Sequence, residues 1–450
     1  MRRLTTFILG YAFVLACILQ PASAYTLHYT DSSASVTIRW ASKTIRIALS
    51  SSLDSPPSNI KQGSDVRGAL RRAVRRWADA TGVQFVEAPS DALSISRAGN
   101  GDKLSLITVA DTPENRGPFD GEDHTGRTRV FFDPATGEIT EADLAINPSA
   151  TFSTDGTPGT YDLEETFTHE VGHIMGLEHS KVAGSIMQPS QGINGLYQEN
   201  ANHARELSDD DIAGARALFD RRESFGTVSG SVFDSNGLPA VGAHVWAEET
   251  RTGRVVAGNM STSEGQFRIE GLAAGHYRIV TQNATEDRGT LRVAAGGGAQ
   301  QDIEISSSPT LKPLLFGRDG HLSTIAVPLE RGKRARIFIG GDGMDRVSGD
   351  GVSVSSRFIR VEPASLTLQS GIAYEHPIIS FDVEVARDAQ PGDYTIRLQS
   401  KSGELAFVSG GLTIEPSDRA TAGDEMAEGQ AAIIGTLRVV SALLESSATR

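Results

Sequence analysis

The sequence predicts a multidomain protein in which an α+β domain at residues 35–222 is followed by two all-β sandwich domains, at residues 225–305 and 310–416. Three observations predict this fold class. The first stretch contains alternating segments rich in β-branched residues together with amphipathic helix patterns. The two later stretches contain short alternating segments separated by glycine turns. The chain of 450 residues is long enough for two to four domains.

Alternation predicts the strands of the first domain, and apolar stripes with polar N-cap residues predict its helices. The predicted strands are 36–40, 44–49, one that begins at 81–85, 92–97, 104–109 and 138–147. The predicted helices are 65–80 with Asp65 as cap, one with Asp162 as cap, and 207–219 with Ser208 or Asp209 as cap. The candidate core residues on these helices are Val66, Leu70, Val74, Trp77, Phe167, Val171 and Ile174. Arginines cover the polar side of the first helix, where a solvated face is favoured over an acidic partner.

The strongest motif runs from His169 to His179 and has the spacing of a catalytic metal site. His169 and His173 are four residues apart, so both rings leave one face of a helix and can reach one zinc ion at roughly 2.0–2.1 Å. Glu170 can stay off the metal and act as general base toward a metal-bound water. Gly176 can adopt positive φ, which turns the chain and brings back His179 as third ligand. Three neutral imidazoles with one open position predict a catalytic zinc site.

The alternative to a zinc site is a helix whose histidines pair with the nearby acids Glu164, Glu165 and Glu178. The short pattern H-E-x-x-H alone would not decide between the two. The added glycine and third histidine at fixed offsets complete a known metalloprotease signature and favour zinc.

This stretch resembles the metzincin clan of zinc peptidases and, within it, the matrixins. Ser180 follows the third histidine as in matrixins, and Met187 within residues 185–189 is similar to the methionine turn under the zinc of this clan. The pattern W-x-x-x-T-x-x-x-F at residues 77–85 and the P-F-D-G at residues 118–121 add to the resemblance. It covers about residues 35–220, densely over 162–219.

The resemblance implies a catalytic domain with a mixed twisted sheet and three helices. It implies that strand 138–147 is an edge strand antiparallel to bound substrate, and that residues 190–202 form one wall of the pocket for the residue after the scissile bond. Tyr197 either contributes to that wall or packs internally. The acidic start of helix 207–219 is expected to brace the methionine turn.

The acidic loop after residue 117 leaves calcium binding open. Its oxygen ligands would be Asp120, Glu122, Asp123 and Asp133, and exposed loop acids are the favoured alternative. Matrixins place several histidines in the following stretch, whereas this chain has only His124 there. We therefore expect one catalytic zinc ion and no structural zinc.

The first 24 residues predict a cleaved secretory signal peptide. Two arginines precede an apolar run at about residues 7–19, and Ala22 and Ala24 form an A-x-A cleavage site. Lipid attachment at Cys17 is less favoured because the bulky Leu15 precedes it. The expected location is secreted or periplasmic. Cys17 is the only cysteine, so the mature chain is expected to have no disulfide bond.

The composition argues against nucleic acid and membrane partners. The formal net charge is −14, and loss of the two signal-peptide arginines makes it two units more negative. Such a chain should repel nucleic acid and anionic membranes. Beyond the signal peptide no segment could span a bilayer, so no transmembrane anchor is expected.

The C-terminal half predicts modules without catalytic chemistry. The glycine and aromatic pattern near residues 265–280 resembles carboxypeptidase-regulatory or Cna-B domains, and residues 310–416 resemble an immunoglobulin-like module. His244 and His276 have no metal partners at useful spacing and are expected in packing or at the surface. The modules either bind a surface, a polymer or the catalytic domain, or act as spacers. Residues 417–450 are expected to be a mostly disordered tail.

Together these observations predict a secreted zinc-dependent metalloendopeptidase that hydrolyses extracellular proteins, with Glu170 as general base. The alternative is a secreted binding or adhesion protein whose zinc domain is catalytically quiet. The intact Glu170 favours the enzyme.

Overall fold

The computed structural model describes residues 27–30, 36–119, 124–197, 205–285, 289–369 and 374–416, and the backbone of 438–439. The predicted signal peptide, including Cys17, lies outside the described residues, as do three of the acids considered for calcium and nearly all of the predicted tail 417–450. Within the described ranges no helix has the length and apolar character needed to cross a membrane.

Four α-helices are found in the described part of the chain, all within the N-terminal half. They are α1 (Val66–Thr81), α2 (Pro113–Arg116), α3 (Leu163–Met175) and α4 (Asp209–Phe219). The three long helices were predicted, whereas α2 is a single turn that carries no periodic apolar signal. The predicted caps are confirmed: Asp65 accepts from the N–H of Gly68 and Asp162 from that of Glu165. Ser208, one of the two candidates, caps α4.

The N-terminal half contains a mixed five-stranded sheet. Its strands are β1 (Thr44–Ser50), β2 (Gln84–Ser90), β3 (Leu106–Thr108), β4 (Gly126–Phe132) and β5 (Ile139–Ile146). The order is β2-β1-β3-β5-β4, in which only β4 is antiparallel to its neighbour. Two short strands, β6 (Phe152–Ser153) and β7 (Tyr161–Asp162), pair in parallel before α3.

The expectation that residues 138–147 form the edge strand is wrong. These residues form β5, which lies between β3 and β4, and all of its residues except Thr140 are buried. The edge strand on this side of the sheet is β4, which the sequence analysis did not predict, and β2 is the edge strand on the other side. Burial on both faces is typical of an interior strand, and the alternation of β5 did not distinguish it from an edge strand.

Two other predicted strands are wrong. Residues 36–40 form isolated bridges, in which Thr37 pairs with Tyr29 and Arg39 with Glu138. Residues 92–97 form no strand, because side chains from other segments accept hydrogen bonds from their backbone N–H groups. Asn115 accepts from the N–H of Ile95, and Asp143 accepts from that of Ser96.

Helix α1 packs its predicted apolar stripe into the core and pairs its arginines with acids. Trp77 is fully buried, and its indole N–H donates to the carbonyl oxygen of Thr168 at 2.7 Å, which joins α1 to α3. Arg72 and Arg76 contact the buried carboxylate of Glu164 at 2.7 and 2.9 Å. The prediction of a solvated arginine face is therefore wrong for Arg76, which is largely buried against an acid of α3, whereas Arg72 is exposed as expected and also contacts that acid.

The C-terminal half is rich in strands. Those up to residue 305 are β8 (Gly226–Asp234), β9 (His244–Glu249), β10 (Arg254–Met260), β11 (Gln266–Leu272), β12 (Gly275–Thr281), β13 (Thr290–Val293), β14 (Gly298–Gln300) and β15 (Ile303–Ile305). The next are β16 (Lys312–Gly317), β17 (His321–Leu322), β18 (Val327–Leu329), β19 (Arg334–Asp342), β20 (Val347–Val354) and β21 (Ile359–Val361). The last are β22 (Thr367–Gln369), β23 (Ile378–Val385), β24 (Gly392–Ser400), β25 (Leu405–Ile414) and β26 (Arg438–Val439).

One sheet runs through both predicted sandwich domains. It contains β13-β12-β9-β10-β24-β25-β18 in that order, with β20 paired to β24. The two predicted domains are joined within this sheet by the short antiparallel pairing of β10 with β24. A sheet built on β8 and β11 shares a core with β9, β10 and β12, and β19 and β23 share a second core with β24 and β25. The boundary between 225–305 and 310–416 stays a prediction, and a continuous sheet crosses it.

The first turn of helix α4 holds the segment 185–187 by hydrogen bonds. Asp211 forms a capping box with Ser208, and its carboxylate also accepts from the hydroxyl of Ser185 and from the backbone N–H groups of Ile186 and Met187. The expected bracing of the methionine turn by the acidic start of this helix is thus present. Buried donors that meet at one carboxylate are costly to leave without a partner.

We expect Asp211→Asn to lower the free energy of unfolding by about 2–4 kcal/mol, because the amide NH2 group cannot accept from the donors that now meet at the carboxylate. Denaturant unfolding followed by circular dichroism would measure it. Asp220→Asn is the matched control, since Asp220 only pairs with Lys43 near the surface and should change stability by less than about 1 kcal/mol. Equal stability of the two variants would show that the carboxylate of Asp211 is not the brace.

Candidate metal centre

Helix α3 presents two histidines on one face and buries the opposite face. Phe167, Val171 and Ile174 are fully buried in the core, as predicted. His169 and His173 project from the other side of the helix. The apolar face therefore fixes the rotation of the helix and, with it, the direction of both rings.

The chain reverses immediately after α3 and brings a third histidine to the same place. Gly176 ends the helix at φ 105°, in the left-handed region that a side chain disfavours. A Cβ there would also lie 3.1 Å from the carbonyl oxygen of Ile38. The turn returns His179 to the two helical rings, with ring centroids 5.2 Å from His169 and 4.8 Å from His173.

The three rings converge closely enough to share one ion. One nitrogen of each of His169, His173 and His179 lies within 4.8 Å of the others, and the Nε2 atoms of His169 and His173 are 3.1 Å apart. Two nitrogens bound tetrahedrally to one zinc ion would be roughly 3.3 Å apart. The donor set and its spacing therefore fit zinc.

Hydrogen bonds on the far side of two rings set their tautomers. Nδ1 of His169 lies 2.7 Å from the carbonyl oxygen of Ile186, and Nδ1 of His173 lies 2.7 Å from that of Leu177. A carbonyl oxygen only accepts, so each Nδ1 donates and each Nε2 keeps a lone pair. Two such lone pairs at 3.1 Å repel each other unless a cation lies between them.

Burial keeps the three imidazoles neutral. Desolvation, with the neighbouring rings, lowers the pKa of His169 to about 3, and desolvation lowers that of His173 to about 4. The pKa of His179 is lowered further by the same two causes. The neutral imidazole is the form that binds a metal.

Glu170 lies beside the three rings but is held by the sheet. Its carboxylate is buried, and Oε2 accepts from the hydroxyl of Thr128 on β4 at 2.7 Å. Burial raises the pKa of Glu170 to about 7, and the hydroxyl of Thr128 opposes that shift. A Cβ on Gly126 would lie 2.7 Å from Cγ of Glu170, so β4 passes close to this side chain only because residue 126 is glycine.

The edge strand β4 thus adds two residues that the sequence analysis missed, Gly126 and Thr128. The sequence motif that contains Glu170 does not indicate which strand lies beside the Glu170 side chain. The available signal was the alternating segment 126–132 itself, which precedes a turn and the predicted strand 138–147.

Met187 lies against α3, and its role as the methionine turn stays a prediction. It is buried, and a Cβ added to Gly172 would lie 2.3 Å from its sulfur atom. Its carbonyl oxygen accepts from the backbone N–H of Ser180 at 2.8 Å. The hydroxyl of Ser180 in turn donates to Asp210 on α4 at 2.7 Å. The segment after the third histidine is therefore anchored on both sides.

Both parts of the C-terminal half contact the segments that follow the third histidine. The backbone N–H of Gly258 on β10 donates to Asp210 at 2.6 Å, and that of Ala183 donates to the carbonyl oxygen of Ser409 on β25 at 3.0 Å. A small apolar cluster joins Val182 to residues of both parts. Among the partners considered for the C-terminal modules, the N-terminal domain itself is contacted.

The loop before β18 contacts Gln188 and, within the predicted pocket wall, Tyr197. The amide of Gln188 donates to the carbonyl oxygen of Thr324 at 3.3 Å. The hydroxyl of Tyr197 lies 3.1 Å from that of Ser323, and the Tyr197 side chain is buried. Of the two expectations for Tyr197, internal packing describes its surroundings.

The other candidate residues lie apart from this centre. Asp133 accepts from the backbone N–H groups of Ala135 and Thr136 within a turn, and calcium binding in this loop stays a prediction. His244 is buried against Trp246, with ring centroids 4.9 Å apart, whereas His276 is exposed.

Two protein-family models match this chain. Residues 39–220 match the model described as Matrixin, and residues 227–306 match the carboxypeptidase regulatory-like domain. The hatching enzyme of Paracentrotus lividus is 31% identical over 37% of this chain and 24% of its own length. Matrix metalloproteinase-15 of Homo sapiens is 30% identical over 38% of this chain and 24% of its own. Metalloendoproteinase 4-MMP of Arabidopsis thaliana is 27% identical over 36% of this chain and 42% of its own length.

This chain therefore spans about a quarter to two fifths of the length of these relatives. A solved structure of BcpA, the major pilin subunit of Bacillus cereus, aligns with 41% of this chain at 11% identity and a TM-score of 0.16, which is too low to support an inference. The family models together with the relatives identify a matrixin domain at residues 39–220, followed by a carboxypeptidase regulatory-like domain at residues 227–306.

Proposed function

We propose that this protein is a zinc-dependent metalloendopeptidase in which His169, His173 and His179 hold one zinc ion and Glu170 is the general base. Matrixins are zinc metallopeptidases, which supports the class of reaction. The observation that carries the assignment of residues is the convergence of three neutral imidazoles beside a buried carboxylate that is not one of the converging ligands.

Bound zinc lowers the pKa of water from 15.7 toward roughly 7 and polarises a carbonyl group. The protein contributes the orientation of the three rings, of which two are held by the carbonyl oxygens of Ile186 and Leu177. His169, His173 and His179 would hold the ion and would leave it accessible to water and to the scissile carbonyl group. The described histidines therefore supply an open site rather than a closed structural one.

Glu170 moves the proton. The Thr128 hydroxyl holds Oε2, which leaves Oε1 as the oxygen that accepts a proton from the attacking water. The same carboxyl group then delivers that proton to the nitrogen of the leaving amine. Because the side chain is buried and anchored to β4, it stays in position through both transfers.

The edge strand β4 supports a polypeptide as substrate. In the described residues β4 pairs with no strand other than β5, so its outer side faces away from the sheet. An extended peptide can add to such an edge by main-chain hydrogen bonds. Because Gly126 and Thr128 both lie against Glu170, a peptide on this edge would pass the base.

We further propose that the substrates are extracellular proteins and that the enzyme is secreted or periplasmic. The N-terminal sequence pattern supports export. The function of the C-terminal half in this setting is to hold the segments behind the third histidine, as its contacts with Ala183 and Asp210 indicate.

The variant Glu170→Ala should retain zinc and lose at least about 100-fold in kcat/KM toward a mixed peptide substrate, because the acceptor of the water proton is gone. Zinc content by mass spectrometry and peptide hydrolysis would be measured together. Glu138→Ala, which removes an exposed glutamate of the same domain, should behave as the parent protein. A parent protein that holds zinc but hydrolyses no peptide would favour the catalytically quiet alternative.

The variant His173→Ala should lose both zinc and hydrolysis, because two remaining imidazoles bind the ion far more weakly. His276→Ala is the matched control, since His276 is exposed and far from the site in sequence, and it should keep a stoichiometric zinc ion. Retention of one zinc ion by His173→Ala would remove His173 from the ligand set.

A further inference from the structure

We propose that protons control the junction between the matrixin domain and the C-terminal sheet. The junction is the contact of residues 180–187 and the first turn of α4 with β10, β24 and β25. It is held together while the carboxyl group of Asp393 carries a proton, and it loosens when that group ionises. This inference goes beyond the proposed function, because it concerns the contact between the two halves of the chain and needs no hydrolysis.

The segment 180–187, which follows the third histidine, packs tightly against the C-terminal sheet. The backbone N–H of Ala183 donates to the carbonyl oxygen of Ser409 on β25 at 3.0 Å. Val182 is fully buried, and a Cβ added to Gly410 would lie 2.6 Å from its Cγ1. Because the backbones approach so closely, a displacement of β24 or β25 would also displace this segment.

Asp393 on β24 directs its carboxylate into this contact. The residue is 4% exposed, and a Cβ added to Gly184 would overlap the carboxylate. Its neighbours across the sheet are Val255 on β10 and Thr413 on β25, and the hydroxyl of Thr413 hydrogen-bonds the carboxylate. The carboxyl group therefore lies where water solvates a charge poorly.

The charged groups at the junction are mainly carboxylates. They are Asp209, Asp210 and Asp211 in the first turn of α4 and Glu249 at the end of β9. The cation among them is Arg254 on β10, whose guanidinium contacts Asp209 at 2.9 Å and Glu249 at 3.9 Å. An ionised Asp393 would add a further negative charge to this set.

Other ionisable groups near the junction do not compensate that charge. Burial lowers the pKa of His244 on β9 to about 3, so this ring is neutral over the pH range considered. Lys181 is exposed, and Arg216 acts on Asp209. In the part of the chain that the structure describes, no lysine, arginine or histidine lies within ion-pair distance of Asp393.

The assembled junction therefore binds the proton of Asp393 more tightly than an opened junction, in which the carboxyl group is in water. Burial, with the charges of Asp211 and Asp209, raises the pKa of Asp393 from 3.8 to about 7, and the hydroxyl of Thr413 opposes that shift. The stability that depends on this proton is present at acidic pH and is lost as the pH rises from about 4 to about 7.

The test follows the opening of the junction in full-length, zinc-loaded protein by amide hydrogen exchange and mass spectrometry. It is read on the peptides that contain Ala183 and Gly258, whose N–H groups donate across the junction, after correction for the intrinsic pH dependence of exchange. The equilibrium constant for opening of the parent protein should rise between about pH 5.5 and about pH 8. About 30-fold of that rise should be absent from Asp393→Asn, which keeps an oxygen acceptor but cannot ionise.

Asp388→Asn is the matched control, since Asp388 is an exposed aspartate shortly before β24 and its variant should keep the parental rise. A parent protein whose opening does not depend on pH would overturn the inference, as would Asp393→Asn with the full parental rise. An Asp393→Asn junction that opens readily at both pH values would also overturn it, because the carboxyl group would then have only a structural role.

If Asp393→Asn does not fold, as judged by circular dichroism, the pH profile of the parent protein decides, and a profile without a bend near pH 7 overturns the inference. Because exchange is read without substrate, a parent protein that hydrolyses no peptide would contradict the proposed function and leave the result on the junction unchanged.

Discussion

The structure around the active-site helix depends on one unfavourable contact that only a cation can relieve. The Nε2 atoms of His169 and His173 face each other at 3.1 Å, and each ring donates its other nitrogen to a backbone carbonyl. Protonation of one ring does not relieve the repulsion between the two Nε2 lone pairs, because burial lowers the pKa of both rings well below neutral pH. The arrangement therefore fits a metal ion and does not fit a hydrogen bond between the rings.

The elements that hold this contact come from distant parts of the chain. The α4 carboxylate of Asp211 collects donors from the methionine turn, and Asp210 bridges Ser180 to the backbone of β10. The C-terminal half is therefore in direct contact with the segment behind the third histidine. Because β10 also pairs with β24, the two β-rich parts approach the site as one connected sheet.

The features of the fold that depend on local sequence signals could be predicted. The caps of α1 and α3 follow from the preference of aspartate for the N-cap position. The buried stripe with Trp77 and the ring directions of α3 follow from helical periodicity. Other predictions failed where the partner was distant. Residues 92–97 have the composition of a strand, but Asn115 and Asp143 satisfy their backbone instead. Periodicity could not distinguish a solvated arginine face from one that meets an acid on another helix.

The sequence by itself determined the donor set, because helical spacing and one left-handed glycine suffice to bring His169, His173 and His179 together. It also determined the α+β character of the first half and the β-rich character of the second. Only the tertiary structure decided that β4 rather than β5 is the edge strand and that Thr128 holds Glu170. The tertiary structure alone also decided which acids at the start of α3 form an ion pair with an arginine. The physical reason is that strand order and ion pairing join residues far apart in the chain, and local periodicity carries no information about such pairs.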